Sequence, residues 1–185
     1  MLECALIHHG SPTLARLKTG SLFTVNYDSE EAILEDINRI NALLHPKGLL
    51  LTILRSRPGW ALMYLYREQA LKVCLAQKDI QTFLHTCGYD TFTPDAALDH
   101  LRTRLTDSGD FPHEIGVFLG YPLADVIGFI ENAGQNCLCT GCWKAYTNEC
   151  EAQRTFALYK KCRDVYTRLF DQGYPLSKLT VRTTA

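Results

Sequence analysis

Residues 21–66 read SLFTVNYDSEEAILEDINRINALLHPKGLLLTILRSRPGWALMYLY, and this stretch decides the fold. β-Branched and aromatic residues between turn residues predict a strand at 21–26. A helix is predicted to begin at Asp28, with Glu31 as its capping-box partner. Apolar side chains then recur at helical spacing along one face of this helix, at Ile33, Ile37, Ile40 and Leu44. The stretch therefore predicts a strand followed by an amphipathic helix.

The segments outward from this helix extend the pattern. Residues 49–55 and 60–66 are predicted as strands, and the intervening SRPG predicts that they form a hairpin. Further predicted helices lie at 2–9 (ended by Gly10-Ser11-Pro12), 68–76, 78–87 and 94–106, after Pro112 and Pro122, and at about 149–171. A fourth strand is predicted at 137–146.

This order of elements predicts the α+β class. We expect a small, mainly antiparallel sheet of about four strands, with the topology of a split βαβ (ferredoxin-like) sandwich. A helical insertion would separate the third and fourth strands, and a long helix would end the chain. We expect residues 1–185 to form a single domain, because the length suits one core and no linker or repeat is visible.

Composition and charge exclude several classes of function. The chain has 185 residues, is 46% hydrophobic and carries a net charge of −1, which gives no electrostatic reason for nonspecific binding to nucleic acid or an anionic membrane. No secretory signal is evident at the start, and no apolar run approaches the length of a membrane span. Eight cysteines without an export signal predict a reducing compartment, so we expect a cytoplasmic protein.

Four motifs in the chain resemble those of a known family. They are LKTGSLF (17–23), FPHEIGVFLGYPLADVIGFIENAG (111–134), GCWKAY (141–146) and YKKC (159–162). In this order they are similar to a bacterial family, common in clostridia and their relatives, that is described as a domain of unknown function. The resemblance implies a cytoplasmic protein of an anaerobic bacterium, with a partner in redox or iron metabolism and no established activity. Gly10 stands where the resemblance leads us to expect a cysteine, so no ligand role is expected there.

A cluster of cysteines near the C-terminus has three interpretations. Cys137, Cys139, Cys142 and Cys150 lie within fourteen residues of one another, and Cys139-x-x-Cys142 has the spacing of a metal knuckle for zinc or an iron–sulfur centre. The same pair could be a redox dithiol, although no helix begins directly after it. In the third interpretation, these cysteines are small buried hydrophobic residues in a reducing cell. A second closely spaced pair is missing, so we predict that no stoichiometric metal is bound, and the sequence identifies no cofactor.

His113 and Glu114 follow Pro112 in the first turn of a predicted helix. An exposed histidine there could act as an acid, a base or a ligand near neutral pH, and a glutamate suits the positive end of a helix. The alternative is a favourable N-terminal turn with its charges in water. The segment also resembles a helix-turn-helix, but the second helix offers Asp125 and Glu131 where DNA recognition requires cationic or amide side chains.

Two further segments carry candidate binding residues. Lys18-Thr-Gly-Ser21 precedes a strand and could hold an anion, with Lys18 as a point charge and backbone amides around Gly20 as donors. It does not indicate a penicillin-recognising enzyme, because the chain has no Ser-x-x-Lys. Trp143, Lys144 and Tyr146 alternate along the predicted fourth strand, where an aromatic ring beside a lysine can bind a flat or anionic ligand.

These residues support two kinds of function. The first is a non-enzymatic binding or adaptor protein for a small anionic ligand, a metal, or a redox or iron-metabolism partner, with a site formed by Lys18, Ser21, His113, Glu114, Tyr121 and Lys144. The second is an enzyme of thiol, iron or cofactor metabolism, with His113 as acid or base and Cys139 or Cys142 as nucleophile or ligand. Both require the segments near residues 18, 113 and 144 to fold into a common cavity.

Overall fold

The computed structural model describes residues 2–107 and 111–183, and at its centre lies a three-stranded antiparallel sheet. Its strands are β1 (Gly20–Asn26), β2 (Leu49–Arg57) and β3 (Trp60–Arg67), in the order β1-β3-β2. Because β3 pairs antiparallel with both neighbours, β1 and β2 run parallel, and helix α2 (Glu30–Leu44) connects them. This confirms the α+β class and gives the first three strands the order of a split βαβ unit.

The central strand β3 is buried on both faces of the sheet. Successive side chains of a strand point to opposite faces, and those of β3 alternate between two hydrophobic clusters. Leu62 and Tyr64 belong to one cluster, and Met63 and Leu65 belong to the other. The sheet therefore has helices packed on both sides.

Helix α2 presents the face that the sequence predicts, but its N-cap is Ser29, one residue after the predicted Asp28. Ile33, Ile37, Ile40 and Leu44 are its buried residues. Ser29 is the N-cap, because its backbone is extended and its hydroxyl accepts a hydrogen bond from the amide of Ala32 at 3.3 Å. The predicted capping role of Asp28 is therefore wrong.

The first helix, α1 (Leu2–Leu14), continues through the Gly10-Ser11-Pro12 segment that was predicted to end it. Gly10 packs closely on β3, since a β-carbon there would lie 2.7 Å from a methyl group of Leu65. The hydroxyl of Ser11 donates to the carbonyl of Ile7, and the whole segment is buried. Tertiary packing therefore holds a helix that local propensity alone would end.

Helices on one side of the sheet and a long helix on the other complete the fold. The first set follows β3 along the chain and comprises α3 (Glu68–Leu75), α4 (Lys78–Thr86), α5 (Pro94–Asp107), α6 (Ile115–Phe118) and α7 (Leu123–Glu131). The last helix, α8 (Glu149–Asp171), has the predicted bounds, and Asn148 is its N-cap. It packs against α1. Across the described residues, no helix combines the length and apolar character that crossing a bilayer requires.

The predicted fourth strand does not join the sheet. Residues 137–146 instead fold back on themselves, and β4 (Cys139–Thr140) pairs with β5 (Lys144–Ala145) in a separate two-stranded hairpin. The turn between them contains Gly141, which approaches the ring of Phe156 on α8 so closely that a β-carbon would overlap it. This packing positions the hairpin between α7 and α8, separate from the three-stranded sheet.

Two cations hold the C-terminal segment against the domain. The ammonium of Lys47 donates to the carbonyls of Ser177 and Thr180. The guanidinium of Arg67, at the end of β3, donates to the carbonyls of Thr13, Leu14 and Val181 and to the hydroxyl of Thr183. Arg67 thereby satisfies two of the last carbonyls of α1 and ties them to the end of the chain.

Candidate functional site

A cavity of about 230 Å³ lies between the segment that leads into α6, helix α7 and the β4–β5 hairpin. Four aromatic side chains line it, and an imidazole and an ammonium stand among them: Phe111, Tyr121, Phe129 and Trp143, with His113 and Lys144. The remaining walls are mainly aliphatic. A concave, mostly apolar space with a few polar groups is the usual form of a small-molecule site.

The hairpin forms one wall of the cavity through a chain of aromatic contacts. The ring of Trp143 stacks on Tyr121, with centroids 5.0 Å apart, and meets the edge of Phe156 on α8 at 4.5 Å. The hydroxyl of Tyr121 donates to the carbonyl of Cys142 at 2.9 Å. Burial raises the pKa of Tyr121, with a smaller contribution from the Cys142 thiol, so this hydroxyl stays protonated and keeps its hydrogen bond. These contacts join the hairpin to the turn before α7.

Asp125, near the start of α7, is the residue that fixes the hairpin. It is 3% exposed and accepts the indole N–H of Trp143 at 2.7 Å on one oxygen. Its other oxygen accepts the amides of Tyr146 and Thr147 and the hydroxyl of Thr147. Sequence reasoning missed this role. The available signal was an aspartate in an otherwise apolar stretch, since a buried carboxylate requires several donors.

His113 and Lys144 lie beside the same aromatic ring. The imidazole of His113 meets the edge of Phe129 with centroids 4.8 Å apart, and the ammonium of Lys144 lies 5.9 Å from the Phe129 centroid. Lys144 donates to the carbonyl of Gly134 at 2.6 Å, which fixes its position and leaves further N–H groups for a ligand. Two of the three segments expected to converge therefore line one cavity, and they bring Tyr121 and Trp143 with them.

Lys18 lies next to this cavity, in a separate groove of about 700 Å³. Tyr121 lines both spaces, and the Lys18 ammonium lies 5.0 Å from its ring centroid. Burial lowers the pKa of Lys18 to about 8, while the nearby Cys142 thiol acts in the opposite direction. Backbone amides near Gly20, predicted to assist Lys18, belong instead to the buried strand β1, where Gly20 pairs with Tyr66.

A comparison with family models places the chain among known sequences. Residues 6–180 match the model described as a protein of unknown function, DUF3793. The chain belongs to the DUF3793 family. A search of curated proteins found no match, and neither did a search of solved structures.

Three predicted residues of this DUF3793 chain lie outside both spaces. Ser21 is 2% exposed, and its hydroxyl lies 2.9 Å from that of Thr13 on α1. Glu114 is also 2% exposed and accepts the guanidinium Nε–H of Arg104 at 3.0 Å. Tyr146 packs on Gly128 of α7, and among the residues described here its buried hydroxyl has no hydrogen-bond partner. The fold therefore separates these three side chains from His113 and Lys144.

The cysteines of the cluster have different surroundings. Burial raises the pKa of the Cys142 thiol, and Lys18 and Arg163 oppose that shift. Burial also raises the pKa of Cys139, together with the carboxylate of Glu149 and the neighbouring Cys137. Cys137 contacts the hydroxyl of Thr140 at 3.4 Å. In the described part of the chain, no group of three or more histidine, cysteine or acidic side chains has the geometry to hold a metal ion.

Proposed function

We propose that this DUF3793 protein is a cytoplasmic binding protein for a small, flat, anionic molecule, such as an aromatic carboxylate. The single observation that carries the proposal is the cavity lined by Phe111, Tyr121, Phe129 and Trp143, with His113 and Lys144 beside one of these rings. Aromatic faces and edges stack on a flat ligand, and the ammonium favours an anion at its edge.

The size and rigidity of the cavity narrow the class of ligand. A volume of about 230 Å³ is below the usual range for drug-sized ligands, so it suits one or two fused rings. The wall is tightly packed at Gly116, where a β-carbon would lie 2.7 Å from a methyl of Val126. The bonds of Asp125 to the hairpin hold Trp143 in place without a ligand. A preformed site of this kind binds with little ordering cost.

The cavity favours binding over the enzymatic alternative. No cysteine, serine or threonine of the described residues lines it, so His113 has no nucleophile beside it there. Glu114, the other candidate acid or base, is held by Arg104 away from the cavity. Both features support a site that holds its ligand unchanged. The cytoplasmic location is supported by the eight cysteines, all of which are free thiols.

The test uses Trp143 as its own reporter. The chain has two tryptophans, so W60F leaves Trp143 as the only one, and its fluorescence is quenched by a bound nitroaromatic probe. We expect 4-nitrobenzoate to bind about tenfold more tightly than the neutral 4-nitrobenzamide, because a hydrogen bond to a charged group contributes about 1.5–3 kcal/mol. K144M should remove this preference. K160M, which removes an exposed lysine of α8, should retain it.

Three outcomes would contradict the proposal. One is equal affinity for the acid and the amide in the W60F protein, since the ammonium would then play no part in recognition. Another is a preference for the acid that K144M retains, since Lys144 would then not be the group that recognises the anion. A titration that leaves Trp143 emission unchanged with either probe would also refute the cavity as the site.

A further inference from the structure

The groove beside the cavity contains an amine on a firmly held loop. Lys18 lies between α1 and β1, and the residues on both sides of it are fixed. The amide of Leu17 donates to the carbonyl of Pro12 at 2.8 Å, and the Leu17 carbonyl accepts the hydroxyl of Tyr159 at 3.1 Å. The carbonyl of Thr19 accepts the amide of Arg67 at 2.9 Å. The backbone therefore presents the Lys18 side chain to the groove in a fixed position.

Among the described residues, the Lys18 amine has no counter-ion. In the parts of the chain that the structure describes, it forms no ion pair with a carboxylate and donates no hydrogen bond to a protein acceptor. Its neighbour is the ring of Tyr121, at 5.0 Å from the centroid. Most lysines with a half-buried side chain extend the ammonium to water or to an acid. Lys18 instead lies against an aromatic ring at the side of an open groove.

Three ionisable groups near Lys18 are uncharged at neutral pH, whereas the groove that it faces is also lined by the charged Arg16, Arg67 and Asp79. Tyr121 comes from the turn before α7, Cys142 from the hairpin and Tyr159 from α8. Burial raises the pKa of the Cys142 thiol, raises that of Tyr159 to about 12 and raises that of Tyr121 further. Arg163 of α8 is a cation that acts on Cys142 and opposes the rise in the pKa of that thiol. The ring of Tyr121 and the Cys142 thiol offset only part of the cost of burying the ammonium, which agrees with a pKa lowered to about 8.

The groove beside Lys18 has the volume and the polar side chains to bind an anionic ligand. Its volume is about 700 Å³, and Arg67 lies in its wall. Within the described residues, the oxygens that accept from Arg67 are all neutral, so no carboxylate there cancels its positive charge. Gln69, Gln77 and the hydroxyl of Thr183 add hydrogen-bond donors. Asp79 adds a carboxylate, which accepts the backbone amide of Ile80. The lining therefore favours a ligand with an anionic group.

We propose that Lys18 is a nucleophilic amine that forms a reversible imine with an aldehyde carrying an anionic group, bound in the groove next to the aromatic cavity. The nitrogen lone pair attacks the carbonyl carbon, and a C–N bond forms. The carbonyl oxygen takes up the two amine protons and leaves as water, so the product is a C=N bond and no oxidant or reductant is needed. A lysine with a desolvated amine is the usual residue for this chemistry.

Pyridoxal 5′-phosphate is the probe, with borohydride to trap any imine and peptide mass spectrometry to quantify each lysine. We expect labelling of Lys18 to exceed that of the exposed Lys160 and Lys161 by about tenfold near neutral pH, because a pKa of about 8 leaves far more neutral amine than the ordinary value of 10.5. Pyridoxal, which lacks the phosphate, should show a smaller preference. Labelling of Lys18 should level off above about pH 8, whereas that of the exposed lysines continues to rise.

The variants separate this site from the aromatic cavity. K18R should remove the preferred label and leave the total at the level of the exposed lysines, and K160R should leave labelling of Lys18 unchanged. K144M, which disables the cavity, should also leave it unchanged, so failure of one proposal does not imply failure of the other. Even labelling across all lysines, or less label on Lys18 than on Lys160, would overturn the inference. A melting curve for K18R matching the parent shows that loss of label is not loss of fold.

Discussion

Replacing Asp125 by asparagine is the most direct test of how the cavity is built. The substitution keeps the size of the side chain and one carbonyl oxygen. That oxygen can retain the three donors from Tyr146 and Thr147 that the carboxylate now accepts. The second position becomes an NH₂ group, which faces the indole N–H of Trp143 where a 2.7 Å hydrogen bond exists now. Rotating the amide would restore the hydrogen bond from Trp143, but it would place the NH₂ group against the three donors of Tyr146 and Thr147.

The magnitude follows from the bonds that change. One hydrogen bond to a charged acceptor is lost, at about 1.5–3 kcal/mol, and two donors are left facing each other. The three retained bonds also weaken because the acceptor loses its charge. We expect D125N to lower the free energy of unfolding by about 2–4 kcal/mol, and D125A by about 3–5 kcal/mol. Both losses are smaller than the free energy of unfolding of an ordinary domain, so the variants should fold.

The assay is urea unfolding in the W60F background, followed by Trp143 fluorescence. In the folded D125N protein, the indole N–H signal of Trp143 should also shift and exchange faster, because its acceptor is gone. D90N is the matched control, since Asp90 is exposed, and it should stay within about 0.5 kcal/mol of the parent. A D125N protein as stable as D90N, with an unchanged Trp143 signal, would refute the role assigned to Asp125.

Three further changes test other parts of the fold. R67M should lower stability by about 2–4 kcal/mol and expose residues 176–183 to proteolysis, since four acceptors lose their donors; an unchanged digestion pattern would contradict this. G128A should destabilise by about 1–3 kcal/mol in urea unfolding despite its better helix propensity, because the new methyl would lie 2.7 Å from Tyr146. K18M should stabilise the protein by about 1–3 kcal/mol near pH 7, because the folded-state pKa is depressed to about 8 and the unfolded chain holds its proton more tightly. The same linkage predicts that parent stability rises between about pH 8 and 10 and that K18M removes this rise, whereas K160M does not.

The sequence predicts α2 well and α1 poorly for a definite physical reason. In α2, the helical period of Ile33, Ile37 and Ile40 coincides with the face that the sheet buries, so local pattern and tertiary packing agree. In α1, Gly10 and Pro12 favour a break, and contacts with β3 that are distant in sequence hold the helix together. Such contacts leave no local signal.

The candidate site shows the same division. Both functional hypotheses require His113 and Lys144 to share a cavity, and the structure places them beside one ring. Asp125 was missed because its partners lie about twenty residues away and two of its four donors are backbone amides. Glu114 was expected at an exposed helix start, but it is buried against Arg104, ten residues earlier.

The contrast between Arg67 and Lys18 is the strongest physical reason to place function at the groove. Both are cations withdrawn from water, and burial lowers the pKa of each, to about 10 for Arg67 and about 8 for Lys18. Arg67 offsets that cost with four hydrogen bonds that tie α1 to the C-terminal segment, so the fold explains its presence. Lys18 forms no such bond within the described residues, and its charge destabilises the folded chain at neutral pH. Functional sites contain residues that lower the stability of the fold and form no stabilising hydrogen bonds within it. At such a site, the bound ligand or the reaction supplies the interaction that the fold does not.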